Sequence, residues 1–208
     1  MAASDVIARR APLIAAAYAH VAHVTVRNRG TIGGNLSNAD PASEMPAVMV
    51  CLGATMVVRG ASGERRIAAA DFFTGPLETA LEPTEYLAEI RVPAAPAGEG
   101  WSCQEVSPRK GDYAVAGIAA TLRLSGGTIA AARIVQFGVA DHAHRLAAAE
   151  AHVAGKAPGE ALFAEAGRKA REEVVPAILN YHGDADYKRD LIGVLTARAL
   201  TEAAGRAS

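Results

Sequence analysis

A short stretch of small residues, Ala94 to Gly100, divides this sequence into two regions of different patterning. Pro and Gly between two periodic regions are typical of a connection rather than of a helix or strand. A chain of 208 residues can form one large domain or two small ones. The stretch favours two, and we predict domains of residues 1–97 and 98–208.

The region after this connection predicts strands followed by helices. Apolar and β-branched runs indicate three strands, the last two joined by Ser125-Gly126-Gly127, a hairpin signal. The predicted strands span 101–106, 115–124 and 128–139, and the helical patterns span 145–153, 159–174 and 186–204. This order predicts an α+β domain in which a three-stranded antiparallel sheet packs on helices.

The region before the connection mixes helices and strands, as an α/β subdomain does. Ser4 can cap the first helix, and Gly53 can end the second. The predicted helices span 5–20 and 47–52, and the predicted strands span 24–26, 55–59, 64–68 and 85–92. His20 and His23 then fall at the end of the first helix, where they would complement its dipole.

The stretch from Thr31 to Pro46 is the strongest candidate for a binding site. Gly33 and Gly34 are predicted to take positive φ and to let a ligand approach the backbone closely. Successive N–H groups in such a loop, with a helix starting just downstream, favour a phosphate or diphosphate. Asp40 and Glu44 could accept hydrogen bonds from sugar or polyol hydroxyls. The stretch therefore points to a dinucleotide.

A simpler interpretation of the same stretch stays open at this point. The glycine pair could be an ordinary tight turn, and Asp40-Pro41 a helix start, with Asp40 as the N-cap and Pro41 at the first helical position.

Charge and cysteine content exclude several classes of function. A formal charge of -1 argues against nucleic acid as a partner. Cys51 and Cys103 stand far apart, without the spacing of zinc or iron–sulfur ligands, and are expected to be reduced core residues of a cytoplasmic protein. His142 and His144 show no ligand spacing that we recognise, so no metal site is predicted. No run of residues resembles a signal peptide or a membrane span.

The full string from Arg27 to Ala47 resembles the second FAD-binding motif in the medium subunits of molybdenum hydroxylases, the xanthine dehydrogenase and aerobic carbon monoxide dehydrogenase family. The resemblance continues through Arg109-Lys110-Gly111-Asp112-Tyr113-Ala114. It implies part of a PCMH-type FAD-binding domain followed by a carbon monoxide dehydrogenase flavoprotein-type C-terminal domain. Family members carry an earlier glycine-rich FAD loop, and no match to that loop occurs here. The chain is therefore expected to lack the N-terminal FAD subdomain.

The resemblance also implies roles for individual residues. The diphosphate would contact Thr31, Ile32, Gly33, Gly34 and Asn35. The ribityl or ribose hydroxyls would bind Asp40 or Glu44, the adenine would lie by Leu87, and the flavin ring by Tyr113. Glu105 occupies a position where some relatives carry a lysine, which removes a cationic contact to the cofactor from that strand. No catalytic acid, base or nucleophile and no metal ligand is predicted.

Two functions follow from the resemblance. The first is an oxidoreductase subunit that passes electrons through FAD to an acceptor. In that case a large partner subunit carries the molybdenum cofactor, and a small one carries 2Fe–2S clusters. The second is a truncated assembly or scaffold protein that keeps the fold and binds FAD weakly or not at all, because fold alone does not determine function. A stand-alone flavin oxidase ranks below both, since the sequence offers no candidate substrate-site base.

Overall fold

Pro12 divides the N-terminal helical region in two. The computed structural model describes residues 4–178 and 182–207. Helix α1, Asp5–Arg10, begins where the Ser4 hydroxyl accepts a hydrogen bond from the Ile7 N–H, and α2, Pro12–Ala17, begins at the proline. Proline has no N–H to donate and its ring clashes with the preceding turn. The predicted single helix over 5–20 is therefore wrong.

The β-branched run at 24–26 is helical, so the predicted strand there is also wrong. It forms the short helix α3, Val24–Arg27. The Arg27 guanidinium donates to the carbonyl oxygens of Val21 at 2.8 Å and Ala22 at 2.7 Å, which holds the chain in a turn. Val24 and Val26 are more than half exposed, and this segment pairs with no strand in the described part of the chain. A strand propensity without a neighbouring strand does not produce a sheet.

Three helices, a three-stranded sheet and the two-stranded sheet β3-β4 make up the rest of the N-terminal half. Helix α4 spans Ile32–Asn38, and α5 spans Glu44–Leu52 and ends at Gly53 in the left-handed conformation, as predicted. The predicted hairpin is confirmed as β1 and β2, and β5 confirms the predicted strand before Pro93. The remaining elements are β1 Thr55–Gly60, β2 Gly63–Ala68, α6 Ala69–Phe72, β3 Phe73–Gly75, β4 Glu78–Thr79 and β5 Tyr86–Arg91, with β2-β1-β5 as the strand order of the sheet.

The C-terminal half confirms the predicted antiparallel sheet followed by helices. Its sheet has the order β6-β7-β8-β9, in which β9 is a short fourth strand that the sequence did not predict. The strands are β6 Glu99–Val106, β7 Ala116–Ser125, β8 Thr128–Phe137 and β9 His144–Arg145. The helices are α7 Ala147–Val153, α8 Glu160–Glu173 and α9 Ala185–Arg206.

This sheet is covered on both faces. Side chains of Cys103, Ala119 and Val135 join the core that contains α2 and α5. The alternate residues of β7, including Ile118 and Leu122, join a second core with α7, α8 and α9. Burial on both faces explains why β7 is almost continuously apolar. Because one core includes residues from both halves, the boundary at residues 97 and 98 stays a prediction.

Candidate functional site

A cleft of about 900 Å³ lies where the two halves meet. One wall comes from the start of α4 and the segment leading into α5, and the opposite wall from the β6–β7 connection, residues 108–114. Ile178 and His182 close one side. Its volume is within the usual range for a site that takes a large organic ligand.

The glycine pair lies inside a helix rather than in a loop. Thr31 is the N-cap of α4, and its hydroxyl accepts a hydrogen bond from the Gly34 N–H at 3.0 Å. Neither Gly33 nor Gly34 has positive φ, so that prediction is wrong: the threonine cap starts the helix one residue before the glycines. A Cβ added at Gly33 would have no described atom within 4 Å, whereas one at Gly34 would lie 3.0 Å from Thr31 Oγ1. Gly33 therefore presents bare backbone to open space.

The α4–α5 connection is fixed by its own polar groups. The Asn35 amide donates to Ser43 Oγ at 2.8 Å, while Asn35 Oδ1 is buried and has no hydrogen-bond partner among the described residues. The Asp40 carboxylate accepts from the Ala42 N–H at 2.9 Å, and α5 begins only at Glu44. The interpretation of Asp40-Pro41 as a helix start is therefore wrong.

The C-terminal half holds this connection in place through backbone hydrogen bonds. The Gly138 N–H donates to the Pro41 carbonyl at 2.8 Å, and the Ala114 N–H donates to the Ala42 carbonyl at 3.3 Å. Beside these bonds, Tyr113 lines the cleft with its side chain more than half exposed. Partial burial and the neighbouring Asp40 carboxylate raise the pKa of Tyr113. The tyrosine therefore presents a neutral aromatic ring to the cleft.

Two buried carboxyl groups lie near each other, that of Glu44 in the lining of the cleft and that of Glu105 outside this lining. Glu44 is 4% exposed, and burial raises its pKa to about 7, with the nearby Glu105 and Asp40 carboxylates acting in the same direction. The Glu105 carboxyl is 1% exposed and lies 4.0 Å from His20 Nδ1. Its Oε2 has no hydrogen-bond partner in the described part of the chain, and burial raises its pKa as well. The sequence alone did not predict this pair.

The two histidines near the start of the chain do not end a helix, so that prediction is wrong. His23 precedes α3 as its N-cap and lies 3.5 Å from the Asp112 carboxylate through Nε2. The cysteines behave as predicted. Cys51 and Cys103 are buried free thiols, and burial raises the pKa of both, that of Cys51 to about 12.

Comparisons with known proteins decide the family. Residues 1–95 match the FAD-binding domain in molybdopterin dehydrogenases, and residues 101–203 match the carbon monoxide dehydrogenase flavoprotein C-terminal domain. The chain is 37% identical over 207 residues to the carbon monoxide dehydrogenase medium chain of Hydrogenophaga pseudoflava, covering 98% of this chain and 70% of that one. It belongs to the FAD-binding medium subunits of the molybdenum hydroxylases.

Other members of the family agree with this assignment. The glyceraldehyde dehydrogenase medium chain of Sulfolobus acidocaldarius is 36% identical over 97% of this chain and 71% of its own length. The structure of carbon monoxide dehydrogenase from Hydrogenophaga pseudoflava superposes with a TM-score of 0.96 at 40% identity, covering 100% of this chain and 72% of that chain. As a medium subunit, this chain is part of an oxidoreductase whose cofactor is FAD. None of the described helices is long and apolar enough to cross a membrane.

The residues of the cleft fit the cofactor of this family. The bare backbone at Gly33 leaves room for a phosphate, the buried Asn35 Oδ1 lacks a donor that a ligand hydroxyl could supply, and the Tyr113 ring offers an aromatic surface. The predicted residues Thr31, Ile32, Asn35, Asp40, Glu44 and Tyr113 all line the cleft. Gly33 and Gly34 lie beside it, and Leu87 on β5 packs half-buried against the N-terminal core.

The buried Glu44 carboxyl predicts that the protein without FAD is less stable at alkaline pH. Because its folded pKa of about 7 is above the ordinary 4.5, the native chain holds a proton that the unfolded chain releases between these values. The free energy of unfolding should therefore fall by about 1.4 kcal/mol per pH unit in this window. Glu44→Gln should stabilise the protein at pH 8 by up to about 3 kcal/mol and change little near pH 5, as measured by urea unfolding.

Glu160 provides a matched control for this prediction, because it also begins a helix but is exposed. Glu160→Gln should give no gain at pH 8. Equal effects of the two substitutions would show that a helix-terminal charge, and not burial of Glu44, sets the pH dependence.

Proposed function

We propose that this medium subunit transfers electrons from the iron–sulfur clusters of a small partner subunit, through FAD, to an external acceptor. A large partner subunit would oxidise the substrate at a molybdenum centre. The observation that carries this proposal is the cleft between the two halves, whose polar groups suit FAD and come from the family's own FAD motif.

The diphosphate is assigned to the first turn of α4. Backbone N–H groups at the start of a helix have no acceptor within the helix. Thr31 satisfies the N–H of Gly34, which leaves those of Ile32 and Gly33 for the ligand. The absence of a side chain at Gly33 allows the phosphate oxygens to reach them.

The sugar and ring contacts are assigned to the polar connection and to the opposite wall. Asp40, Glu44 and the unpaired Asn35 Oδ1 would accept hydrogen bonds from hydroxyl groups of the cofactor. The Tyr113 ring would pack on the flavin ring. Leu87 would contact the adenine if the cofactor extends from the cleft along α4, since β5 lies beside that helix.

The chain's own residues bind and orient FAD and set the electrostatic field around it. FAD supplies the redox chemistry. Glu44 and Glu105 are buried acids that keep their protons more tightly than exposed carboxyl groups do. Glu44 lines the cleft and Glu105 lies near it, and burial disfavours the charged form of both carboxyl groups. Arg109 lines the cleft, and both it and the adjacent Lys110 are exposed and add positive charge on the solvent side.

The cysteine content supports the proposal that other subunits carry the iron–sulfur clusters and the molybdenum cofactor. A 2Fe–2S cluster requires four ligands, whereas Cys51 and Cys103 are the only cysteines and both are buried in the core. We therefore assign the clusters to a small subunit and the molybdenum cofactor to a large one. Two free thiols also support a cytoplasmic location. The cleft with its unpaired polar atoms favours this function over that of a scaffold.

Purification of the tagged chain from its native host tests the proposal. A large and a small Cys-rich subunit should copurify in equal amounts, with FAD bound to the medium subunit. Chemically reduced complex should then reduce an artificial acceptor far faster than the same complex stripped of FAD. Recovery of the chain without partners and without flavin would favour the scaffold function, and equal rates with and without FAD would exclude the electron-transfer role.

A further inference from the structure

Three side chains on the loop between β8 and β9 converge in a way that the FAD site does not use. One potential ligand atom from each of Asp141, His142 and His144 lies within 4.8 Å of the other two. Carboxylate oxygen and imidazole nitrogen are ligands that bind zinc and similar divalent transition metals. We propose that Asp141, His142 and His144 form a binding site for a divalent transition-metal ion, with Zn²⁺ as its natural probe.

The backbone sets the two histidines side by side. His144 begins β9, where it pairs with Gln136 of β8, and His142 lies in the bend just before this strand. The rings of His142 and His144 lie 5.5 Å apart between centroids, and Ala143 between them is buried. The sequence analysis predicted no metal site at these residues.

The contact between Asp141 and His142 is unusual for an ion pair. Asp141 Oδ1 lies 2.9 Å from His142 Nδ1, yet this buried nitrogen makes no hydrogen bond to any described residue. The two atoms are therefore within hydrogen-bond distance but not in a geometry that forms a hydrogen bond. Two ligands that each lie about 2.0–2.2 Å from a zinc ion are separated by roughly 3–3.5 Å. A shared ion accounts for the short distance and for the unsatisfied nitrogen.

Hydrogen bonds orient the third ligand. His144 Nδ1 lies 3.2 Å from the His142 carbonyl oxygen, which also accepts from Gln136 Nε2 at 2.7 Å. Gln136 is held in turn because its Oε1 accepts from the Ala140 N–H at 3.2 Å. His144 Nδ1 also lies 3.3 Å from Gln136 Nε2, a donor that would pair with the opposite ring tautomer. Metal binding at Nε2 selects the tautomer whose Nδ1–H donates to the His142 carbonyl, as in most protein histidine ligands. Three protein ligands leave one position of a tetrahedral ion for water.

The charges and connections around the loop also favour a cation there. The Asp141 carboxylate supplies a negative charge beside His142, and the neighbouring Arg145 is paired with Glu150. The same loop contacts both halves of the chain: Gly138 donates to Pro41, and the Val139 carbonyl accepts from Ala177 at 2.9 Å and Ile178 at 3.0 Å. A bound ion would therefore stabilise the loop that is hydrogen-bonded to the α4–α5 connection.

Zn²⁺ titration of the full 208-residue chain, after removal of metal with a chelator, tests the site. One ion should bind per chain and raise the midpoint of thermal unfolding. Co²⁺ should give the visible absorption of a tetrahedral nitrogen and oxygen site. His142→Ala and His144→Ala should each weaken binding at least about tenfold, since removing even a supporting group typically costs 10–100-fold in affinity. Asp141→Asn, on a half-exposed side chain, should weaken binding without disturbing the core.

His152→Ala is the matched control, because this histidine lies on α7 away from the loop. It should leave Zn²⁺ affinity unchanged. Failure of the wild-type chain to bind Zn²⁺, or unchanged affinity in the His142→Ala/His144→Ala double variant, would overturn the proposal. Circular dichroism identifies any histidine variant that does not fold. In that case the Zn²⁺ affinity of Asp141→Asn tests the site. The titration does not involve FAD, so its failure would leave the proposed function unaffected.

Discussion

Gly33→Val should weaken FAD binding about a hundredfold or more while the protein without FAD stays folded. A Cβ at this position meets no described atom within 4 Å, so the substitution causes no internal clash. In the proposed binding mode, the added side chain would occupy space that the diphosphate needs at the first turn of α4. Losing about two charge-assisted hydrogen bonds, at roughly 1.5–3 kcal/mol each, removes at least about 3 kcal/mol of binding free energy.

Alanine substitutions at the two adjacent glycines separate binding from folding. Gly33→Ala should weaken FAD binding and also stabilise the protein without FAD by about 0.5–1 kcal/mol, because alanine is the better helix former. Gly34→Ala should instead destabilise it, since its Cβ would lie 3.0 Å from the capping oxygen of Thr31. Fluorescence titration with FAD and urea unfolding measure the two effects. Unchanged FAD affinity in Gly33→Val would remove the start of α4 from the site.

Gly100→Ala should destabilise the protein by about 3 kcal/mol or more, a large fraction of the stability of an ordinary domain. Its Cβ would lie 1.8 Å from the carbonyl oxygen of Ala203 and 2.8 Å from the Ala207 nitrogen. Both are backbone atoms at the end of α9, so no side chain can rotate away. The end of α9 is also tied to β6, because Arg206 lies over the Trp101 ring at 3.8 Å and donates to the Trp101 carbonyl at 2.7 Å.

Gly205→Ala is the matched control for this substitution. Gly205 lies in the last turn of α9, and a Cβ there would have no neighbour within 4 Å among the described residues. Urea unfolding should show that Gly205→Ala stabilises the protein slightly, by up to about 1 kcal/mol. A loss of less than about 1 kcal/mol in Gly100→Ala would mean that β6 and α9 separate easily, contrary to the close packing described above.

Features that depend on residues close together in the sequence could be predicted from the sequence. The β1–β2 hairpin, the end of α5 at Gly53 and the strands β6 to β8 followed their local patterns. The break at Pro12 is also a local signal, because proline has no N–H to donate, and the apolar periodicity over 5–20 continues through it. The glycine pair lies beside the cleft, and its helical conformation was not predicted.

The site itself required contacts between distant parts of the chain. The Val24–Val26 segment has strand propensity and became a helix because Arg27 binds the preceding carbonyl groups and no described strand lies beside it. Glu105 looked like an ordinary polar residue of β6. Its carboxyl is almost fully buried, near Glu44, only because α2, α5 and the C-terminal sheet pack together.

The sequence by itself determined the family, most of the elements and the residues that line one wall of the cleft, because these depend on local pattern and on motif residues in fixed order. The tertiary structure decided the raised pKa values of Glu44 and Glu105 and the convergence of Asp141 with His142 and His144. Burial, electrostatic interaction and ligand geometry depend on distances between atoms. Only the packing of the two halves fixes those distances.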